Sequence, residues 1–494
     1  MSVFDIDQMP EVFLSTDKIS YAVSRAVKAG KIRKIGPKLY TANLMDSPEQ
    51  VVRRNFWHIA GMIFPGAVVV DRTALENTPA SDGSVFLSSS STREVELPGI
   101  TLRSRKGQAP LEEDRPFIGG LFISSPARAY LENMAPSRAR KGVARRLSRE
   151  EVEQRLDADI RIKGEDYIKA LRDEARRIAP KLRLEKAQAE LDKIIGTLLG
   201  TRDAKIKSDI ASARAAGQPF DPHRLDLFTA LHEELMRTDA PIRRDPSIAG
   251  ISINLPFFEA YFSNFIEGTE FEVSEAAEIV FEGRIPEQRP ADAHDILGTY
   301  RVVSSKNEMS KLPGTPEEFV SLMRARHAQV MEGRPDKAPG QFKTRANQAG
   351  ATLFVDPRLV EGTLKRGFEI YQAISEPFNR AAFMMFLVAE VHPFADGNGR
   401  LARIMMNAEL VAADECRIII PTIYRNNYLA ALRALSQNQA AEPMIRMLNF
   451  AQKYTMSIDF STYETAELEL RQTNAFMDPG IADEEGFRLK LGAQ

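Results

Sequence analysis

The chain has 494 residues and a formal net charge of −2. That length exceeds one ordinary core, so two to four domains are expected, and the balanced charge supports no global nucleic-acid or acidic-partner reading. Its single cysteine, Cys416, excludes an internal disulfide framework and a cysteine-based zinc site. No apolar run reaches the ~18–20 residues of a membrane span, the first residues lack a signal-peptide pattern, and a reducing cytoplasm is the expected compartment.

Residues 1–45 begin with a helix signal. Ser15 or Asp17 stands at its start, Ile19, Ala22, Val23, Ala26 and Val27 follow helical spacing, and Ala29-Gly30 ends it. Lys31–Ile35, Gly36-Pro37 and Lys38–Thr41 then read as a β-hairpin. Helix followed by hairpin is a winged-helix plan. From Lys18 to Tyr40 there are seven Lys or Arg residues and no acid. Arg25, Lys28, Lys31, Arg33, Lys34 and Lys38 suit phosphate contacts on duplex DNA; a solvated basic face on a protein-binding wing is the alternative. The stretch Ile19…Arg25-Ala-Val…Gly30-Lys-Ile-Arg-Lys-Ile-Gly-Pro-Lys-Leu-Tyr40 is similar to the winged-helix domain of abortive-infection antitoxins of type IV toxin–antitoxin systems.

Residues 46–135 carry strand-like pieces at Ala67–Val70, Ser84–Leu87, Val95–Leu97 and Ile100–Arg103, the pattern of a small α/β domain. Gly119-Gly120 and Ser124-Ser125-Pro126 mark a turn and a helix start. Residues 136–222 are charged and helix-prone. Arg138, Arg140, Lys141, Arg145, Arg146 and Arg149 make a basic stretch. The first reading is a solvated connecting helix or helix pair, with Leu147, Leu156, Ile160, Leu191, Ile194, Ile195 and Leu198 as packing faces. Ala215–Pro222 reads as a linker.

Residues 223–460 form the second half. Pro256–Gly268 is an aromatic-rich helix stopped by its glycine, and Ser263 and Glu267 share one of its faces. Two extended pieces flank Asn347–Gly350, which suggests a hairpin. Leu359–Ser375, Asn379–Val391 and Leu401–Ala413 read as core helices. Tyr424 and Tyr428 suit either adenine stacking or core packing. Residues 461–494 turn polar, the pattern of a short helix and a loose tail.

Between the last two core helices lies His392-Pro-Phe-Ala-Asp-Gly-Asn-Gly-Arg400, with Arg403 three residues on. Gly397 and Gly399 let the backbone approach a ligand closely. Loop amides beside a helix N-terminus make an anion site. Arg400 and Arg403 share a face and suit a polyphosphate. Asp396 is a hard oxygen ligand suited to Mg²⁺, and His392 takes a proton near neutral pH. These are the parts of a phosphoryl- or nucleotidyl-transfer site.

This loop resembles the signature of the Fic family, H-P-F-x-(D/E)-G-N-G-R-x-x-R, at every fixed position. The resemblance implies a mostly helical core that moves AMP from ATP onto a protein hydroxyl. It implies His392 as general base and Asp396 as the Mg²⁺ carboxylate. Gly397, Asn398, Gly399, Arg400 and Arg403 would hold phosphates, Phe394 would anchor the loop, and Asn407, at a position often polar in the family, would also contact the nucleotide. It also implies that Ser263 and Glu267-Gly268 mark a built-in inhibitory helix, whose Glu pairs with Arg403. The hairpin would then be a flap that aligns the target chain.

The fold class expected is mainly α: a Fic core with a hairpin flap, preceded by a winged-helix module and a small α/β domain. The function expected is adenylyl transfer from Mg·ATP to a Ser, Thr or Tyr hydroxyl of a target protein. One rival uses the same fold with another donor, moving UMP, phosphate or phosphocholine. A second is a DNA-binding regulator or antitoxin whose Fic half is a sensor. Oligomeric state is not legible.

Overall fold

A computed structural model describes residues 9–136, 142–202, 204–239, 242–244, 254–349 and 352–492. The chain is mainly α-helical and forms two compact units, Met1–Gly217 and Gln218–Gln494. Arg138, Arg140 and Lys141 of the basic stretch, and Gly350 of the expected hairpin, lie outside the described residues.

In the first unit, helix Ser20–Lys28 buries Val23 and Ala26 on one face. Its N-cap is Ile19, with no side-chain bond, so neither Ser15 nor Asp17 caps it. Strands Arg33–Gly36 and Leu39–Thr41 pair as a hairpin, and Val12–Leu14 adds a third strand beside Leu39–Thr41. Val12, Ile35 and Leu39 share one core with Val51, Val52 and Ile59 of helix Pro48–Ile63 and with Val69, Val85 and Leu102 beyond it. Apolar packing therefore runs unbroken across the boundary expected at 45/46. Helix Pro48–Ile63 starts from a full capping box between Ser47 and Gln50.

A six-stranded mixed sheet follows in the order Arg93–Leu97, Ile100–Lys106, Ser84–Ser89, Val68–Val69, Leu121–Ile123, Arg115–Phe117. The last two strands flank Gly119-Gly120 and are too short to show an alternation signal. Helices Arg149–Lys163, Glu165–Leu182, Glu185–Leu198 and Asp209–Ala215 pack with Pro126–Met134 around Leu131, Leu156, Ile168, Ile178, Leu191 and Ile195. The charged stretch is thus a packed helical layer, not a solvated connector. Its charges occupy the outer faces of amphipathic helices.

In the second unit, helices Pro377–Val391 and Asn398–Ala412 pack along each other, with Pro222–Arg237, Pro316–Val330 and Val360–Tyr371 around them. The Pro377–Val391 helix is apolar nearly all round because it is enclosed on every side. Helix Asn254–Ile266 contacts Asn398–Ala412 and Pro290–Val303. Its aromatic residues Phe257, Phe258, Tyr261 and Phe262 meet Phe460, Tyr463 and Phe476. The expected loose tail is therefore corrected: Tyr463–Gln472 and Pro479–Glu485 are helices, and Ala466, Leu470 and Ala475 are buried. A few apolar residues in a polar stretch suffice because a ready-made aromatic surface receives them.

Candidate functional site

The motif loop is closed from within. Asn398 is buried, and its carboxamide accepts from the Phe394 N–H at 2.8 Å and donates to the Phe394 carbonyl at 2.9 Å. The Asn398 side chain thus ties the loop together. Its backbone amide, with those of Gly399 and Arg400, lies in the first turn of Asn398–Ala412, where N–H groups have no helical partner. Gly397 is the N-cap at φ 73°, and a side chain there would run into Met331. A side chain at Gly399 would run into the Glu267 carboxylate. Phe394 is fully buried, as an anchor requires.

His392 caps the C-terminus of Pro377–Val391 in the left-handed region, φ 51°. Its Nδ1–H donates to the Ala389 carbonyl at 3.3 Å, which leaves Nε2 as the lone-pair nitrogen. Burial pushes its pKa down to about 4, helped by the Lys343 charge, so the ring is neutral at pH 7. Phe354 stacks on it at 3.8 Å and 6°. Phe354 follows the hairpin of Gln348–Ala349 and Thr352–Leu353, and its N–H donates to the Asn347 carbonyl. Two bonds moor this hairpin to the loop: Lys343 N–H to the Pro393 carbonyl at 2.9 Å and Asn347 Nδ2 to the Phe394 carbonyl at 3.0 Å. Burial, with the Arg224 charge, pushes Lys343 down to about 8, and its Nζ donates to Asn347 Oδ1.

The two motif arginines are both buried and both engaged. Arg403 donates from Nε to Ser263 Oγ at 2.9 Å and from Nη2 to the Ser263 carbonyl at 2.8 Å and to Glu267 Oε1 at 2.7 Å. The Arg403 side chain is 5% exposed and that of Glu267 is 32%. Arg400 pairs with Asp295 at 2.9 Å, both side chains 3% exposed, and lies 3.7 Å from Asp396. Asp295 also receives Arg334 at 2.7 Å. Tyr428 is buried with its ring 5.7 Å from the Arg403 guanidinium, which assigns it to core packing. Tyr424 is half-buried and tilted against Phe450.

Asn407 requires a correction. It is fully buried, donates to Glu259 and the Ile418 carbonyl, and accepts from the Ile418 N–H. Every polar atom of its carboxamide holds the helix to its neighbours, so no nucleotide contact is left to it. Asp295 and His327 belong to the site and were not anticipated. His327 stacks on Phe394 at 3.7 Å and bonds the Asp396 carbonyl at 3.0 Å. Neither carries a local signal, because each comes from a helix far from the motif in sequence.

Asp396 suits Mg²⁺. Its carboxylate is 43% exposed, and Oδ1 accepts from Gly397 N–H at 2.6 Å. Among the described residues no cluster of three or more metal-ligating side chains occurs. One carboxylate beside a phosphate-binding turn is the usual protein share of a Mg²⁺–nucleotide site.

The family model described as Fic/DOC matches residues 319–410. The chain is 26% identical over 261 residues to a protein named protein adenylyltransferase Fic from Drosophila yakuba, covering 51% of this chain and 48% of that one. A relative of the same name from Drosophila willistoni is 26% identical over 225 residues, covering 42% and 43%. The chain thus spans about half the length of these relatives. Among solved structures, a Fic-domain signaling protein from Bacteroides thetaiotaomicron is 18% identical with a TM-score of 0.38, covering 49% of this chain and 97% of that one. Fic-1 from C. elegans is 19% identical with a TM-score of 0.35, covering 62% and 96%. No helix among the described residues is long and apolar enough to cross a membrane. The motif and the loop built around it thus lie within the segment, residues 319–410, that matches the Fic/DOC family model.

Proposed function

We propose that the protein is an autoinhibited protein adenylyltransferase, moving AMP from Mg·ATP to a Ser, Thr or Tyr hydroxyl of a target protein. The observation that carries this reading is the contact of Arg403 with Ser263 and Glu267 beside an intact His392 loop. The target hydroxyl loses its proton to His392 Nε2 as its oxygen bonds the α-phosphorus. The bond from that phosphorus to the bridging oxygen breaks, and pyrophosphate leaves. First-turn amides of Asn398–Ala412 and Arg400 face the charge that develops on the phosphate oxygens. Mg²⁺, when bound on Asp396 and the phosphates, supplies charge neutralisation. Arg403 holds the outer phosphate only after Glu267 releases it, and the Gln348–Leu353 hairpin offers a strand edge to the target chain. The relatives' name, protein adenylyltransferase Fic, supports ATP as the donor.

Incubation with labelled ATP or labelled UTP and a lysate tests the reading. Labelled protein from ATP alone, abolished by His392→Ala, is expected. Label from UTP alone would reassign the donor, and label that survives His392→Ala would overturn the mechanism.

A second reading concerns the N-terminal helix. Tyr21 is 77% exposed, and Arg25 and Lys28 of the same helix and Lys31, Lys34 and Lys38 after it are exposed. An aromatic and basic face of this kind suits duplex DNA. Salt-dependent retention of promoter DNA by the full chain, lost on Lys31→Ala with Lys34→Ala and Lys38→Ala, supports it. No retention at low salt would make the face a protein-binding one.

A further inference from the structure

His327 lies in helix Pro316–Val330 and is 0% exposed. Its two ring nitrogens meet backbone groups from two separate segments. Nδ1 lies 2.9 Å from Gly340 N and Nε2 lies 3.0 Å from the Asp396 carbonyl oxygen. These partners fix the proton. The Gly340 N–H can only donate, so Nδ1 accepts. The Asp396 carbonyl can only accept, so Nε2 carries the hydrogen and donates. The ring is therefore the neutral Nε2–H tautomer, and any other form would set two donors or two acceptors against each other. The ring face lies parallel to Phe394, 3.7 Å and 6° away.

The peptide on which this ring acts joins Asp396 to Gly397. In a planar trans peptide the C=O and the following N–H point in opposite directions. With the carbonyl drawn toward His327, the Gly397 N–H is turned away from the helix that carries it. There it donates to Asp396 Oδ1 at 2.6 Å. A continuous chain results: imidazole N–H to carbonyl, across one peptide plane, then N–H to carboxylate. Hydrogen bonds in such a chain polarise one another. Other contacts fix the loop elsewhere, at Pro393 through Lys343 and at Phe394 through Asn347 and Asn398. The bond from His327 acts on the plane of the Asp396–Gly397 peptide itself.

We propose that His327 is a positioning residue for Asp396, orienting the carboxylate that receives the divalent cation of the nucleotide. This rests on the adenylyltransferase reading, in which Asp396 is that ligand. A partner that orients a ligating carboxylate typically contributes ~10–100-fold to metal affinity.

Two substitutions separate the bonds. In His327→Gln, the side-chain NH₂ reaches the Nε2 position, so the donor to Asp396 is kept and the acceptor for Gly340 is lost. In His327→Asn, the side-chain oxygen reaches the Nδ1 position, so the reverse holds. Both lose the stack on Phe394, and a role in packing alone would affect them alike. The test is calorimetric binding of ATP, with Mg²⁺ and with EDTA, in full-length protein carrying Glu267→Gly to free Arg403, with thermal melting in parallel. His327→Asn should weaken Mg·ATP binding by about tenfold or more and leave metal-free ATP binding unchanged. His327→Gln should stay within about threefold of its parent for both. If His327→Asn fails to fold, His327→Phe, which keeps the stack and offers no hydrogen bond, should show the same selective loss of Mg·ATP binding. Equal Mg·ATP binding by parent and variants, or equal losses in the Asn and Gln variants, would overturn the proposal. A parent that binds no ATP at all would instead overturn the adenylyltransferase reading.

Discussion

Both units bury arginines against carboxylates, and they do so to different ends. In the first unit Arg128 meets Asp114 and Glu132, and Arg105 and Arg145 meet Asp71. The carboxylates of Asp71 and Asp114 are 0% exposed. Asp71 is also held at φ 55°. Burial and the nearby Asp71 charge raise the pKa of Glu132, while Arg128 and Arg105 pull it back. In the second unit Arg403 is as deeply set, but its carboxylate partner, Glu267, is one-third exposed. A pair sealed on both sides, as Arg128–Asp114 is, keeps its carboxylate; Arg400–Asp295 in the second unit is of this kind, so Arg400 would meet a phosphate only with Asp295 still bound. A pair with one accessible carboxylate can exchange it for an incoming phosphate. Desolvation makes the first kind structural and the second kind switchable.

Breaking the sealed kind should have the largest effect. Asp114→Ala leaves Arg128 short of a buried partner and removes the carboxylate that accepts from the Leu111 and Ser125 N–H groups. A loss of about 3–5 kcal/mol is expected, read as disappearance or strong lowering of a melting transition. A change under about 1 kcal/mol, the worth of an exposed pair, would end the distinction.

His392→Ala is next, because it removes chemistry without removing charge. Label transfer should fall by ~10²–10⁴-fold with ATP affinity within a few-fold, checked by calorimetry beside the transfer assay. Loss of both would assign His392 to folding. The same side chain sets a smaller, pH-dependent effect. Its folded pKa of about 4 lies below the ordinary histidine value of 6.5. The base therefore stays unprotonated as pH falls, and the acid limb of transfer should lie below pH 5 rather than near 6.5. Linkage has the same sign: this residue's contribution to stability is complete above the unfolded pKa and declines as pH falls toward the folded one. An acid limb near pH 6.5 would contradict the burial of His392.

The smallest effect on the fold is expected at the exposed basic face. Lys31→Ala with Lys34→Ala and Lys38→Ala should change unfolding free energy by under about 0.5 kcal/mol per site, measured by denaturant titration. A larger loss would mean that these charges, like those at Asp71, are structural.

The loop was legible because nine motif positions lie within twelve residues, and His392, Phe394 and Asp396 sit where the spacing puts them. Ser263 and Glu267 were legible as one helix face, and that face meets Arg403. Asn407 was misread because a buried amide on a helix face looks the same in sequence whether it binds ligand or backbone. Asp295 and His327 were invisible for a different reason. Their contacts join segments far apart in the chain, 69 residues in the case of His327 and Asp396, and no periodicity reports such a contact. The tail was misread because Tyr463, Leu470 and Phe476 are too sparse to register as an apolar face. The core shared across residue 45 was hidden for a similar reason, since strands of three or four residues carry little pattern.

The central claim is that Glu267 and the nucleotide compete for Arg403. Mg·ATP binding measured by calorimetry, with auto-adenylylation alongside, in wild type, Glu267→Gly, and Glu267→Gly with Arg403→Ala tests it most directly. The account predicts weak binding and little label for wild type, about tenfold tighter binding and strong label for Glu267→Gly, and loss of both gains when Arg403 is also removed. Equal binding and equal label in wild type and Glu267→Gly would contradict it and leave Ser263–Gly268 as an ordinary helix end.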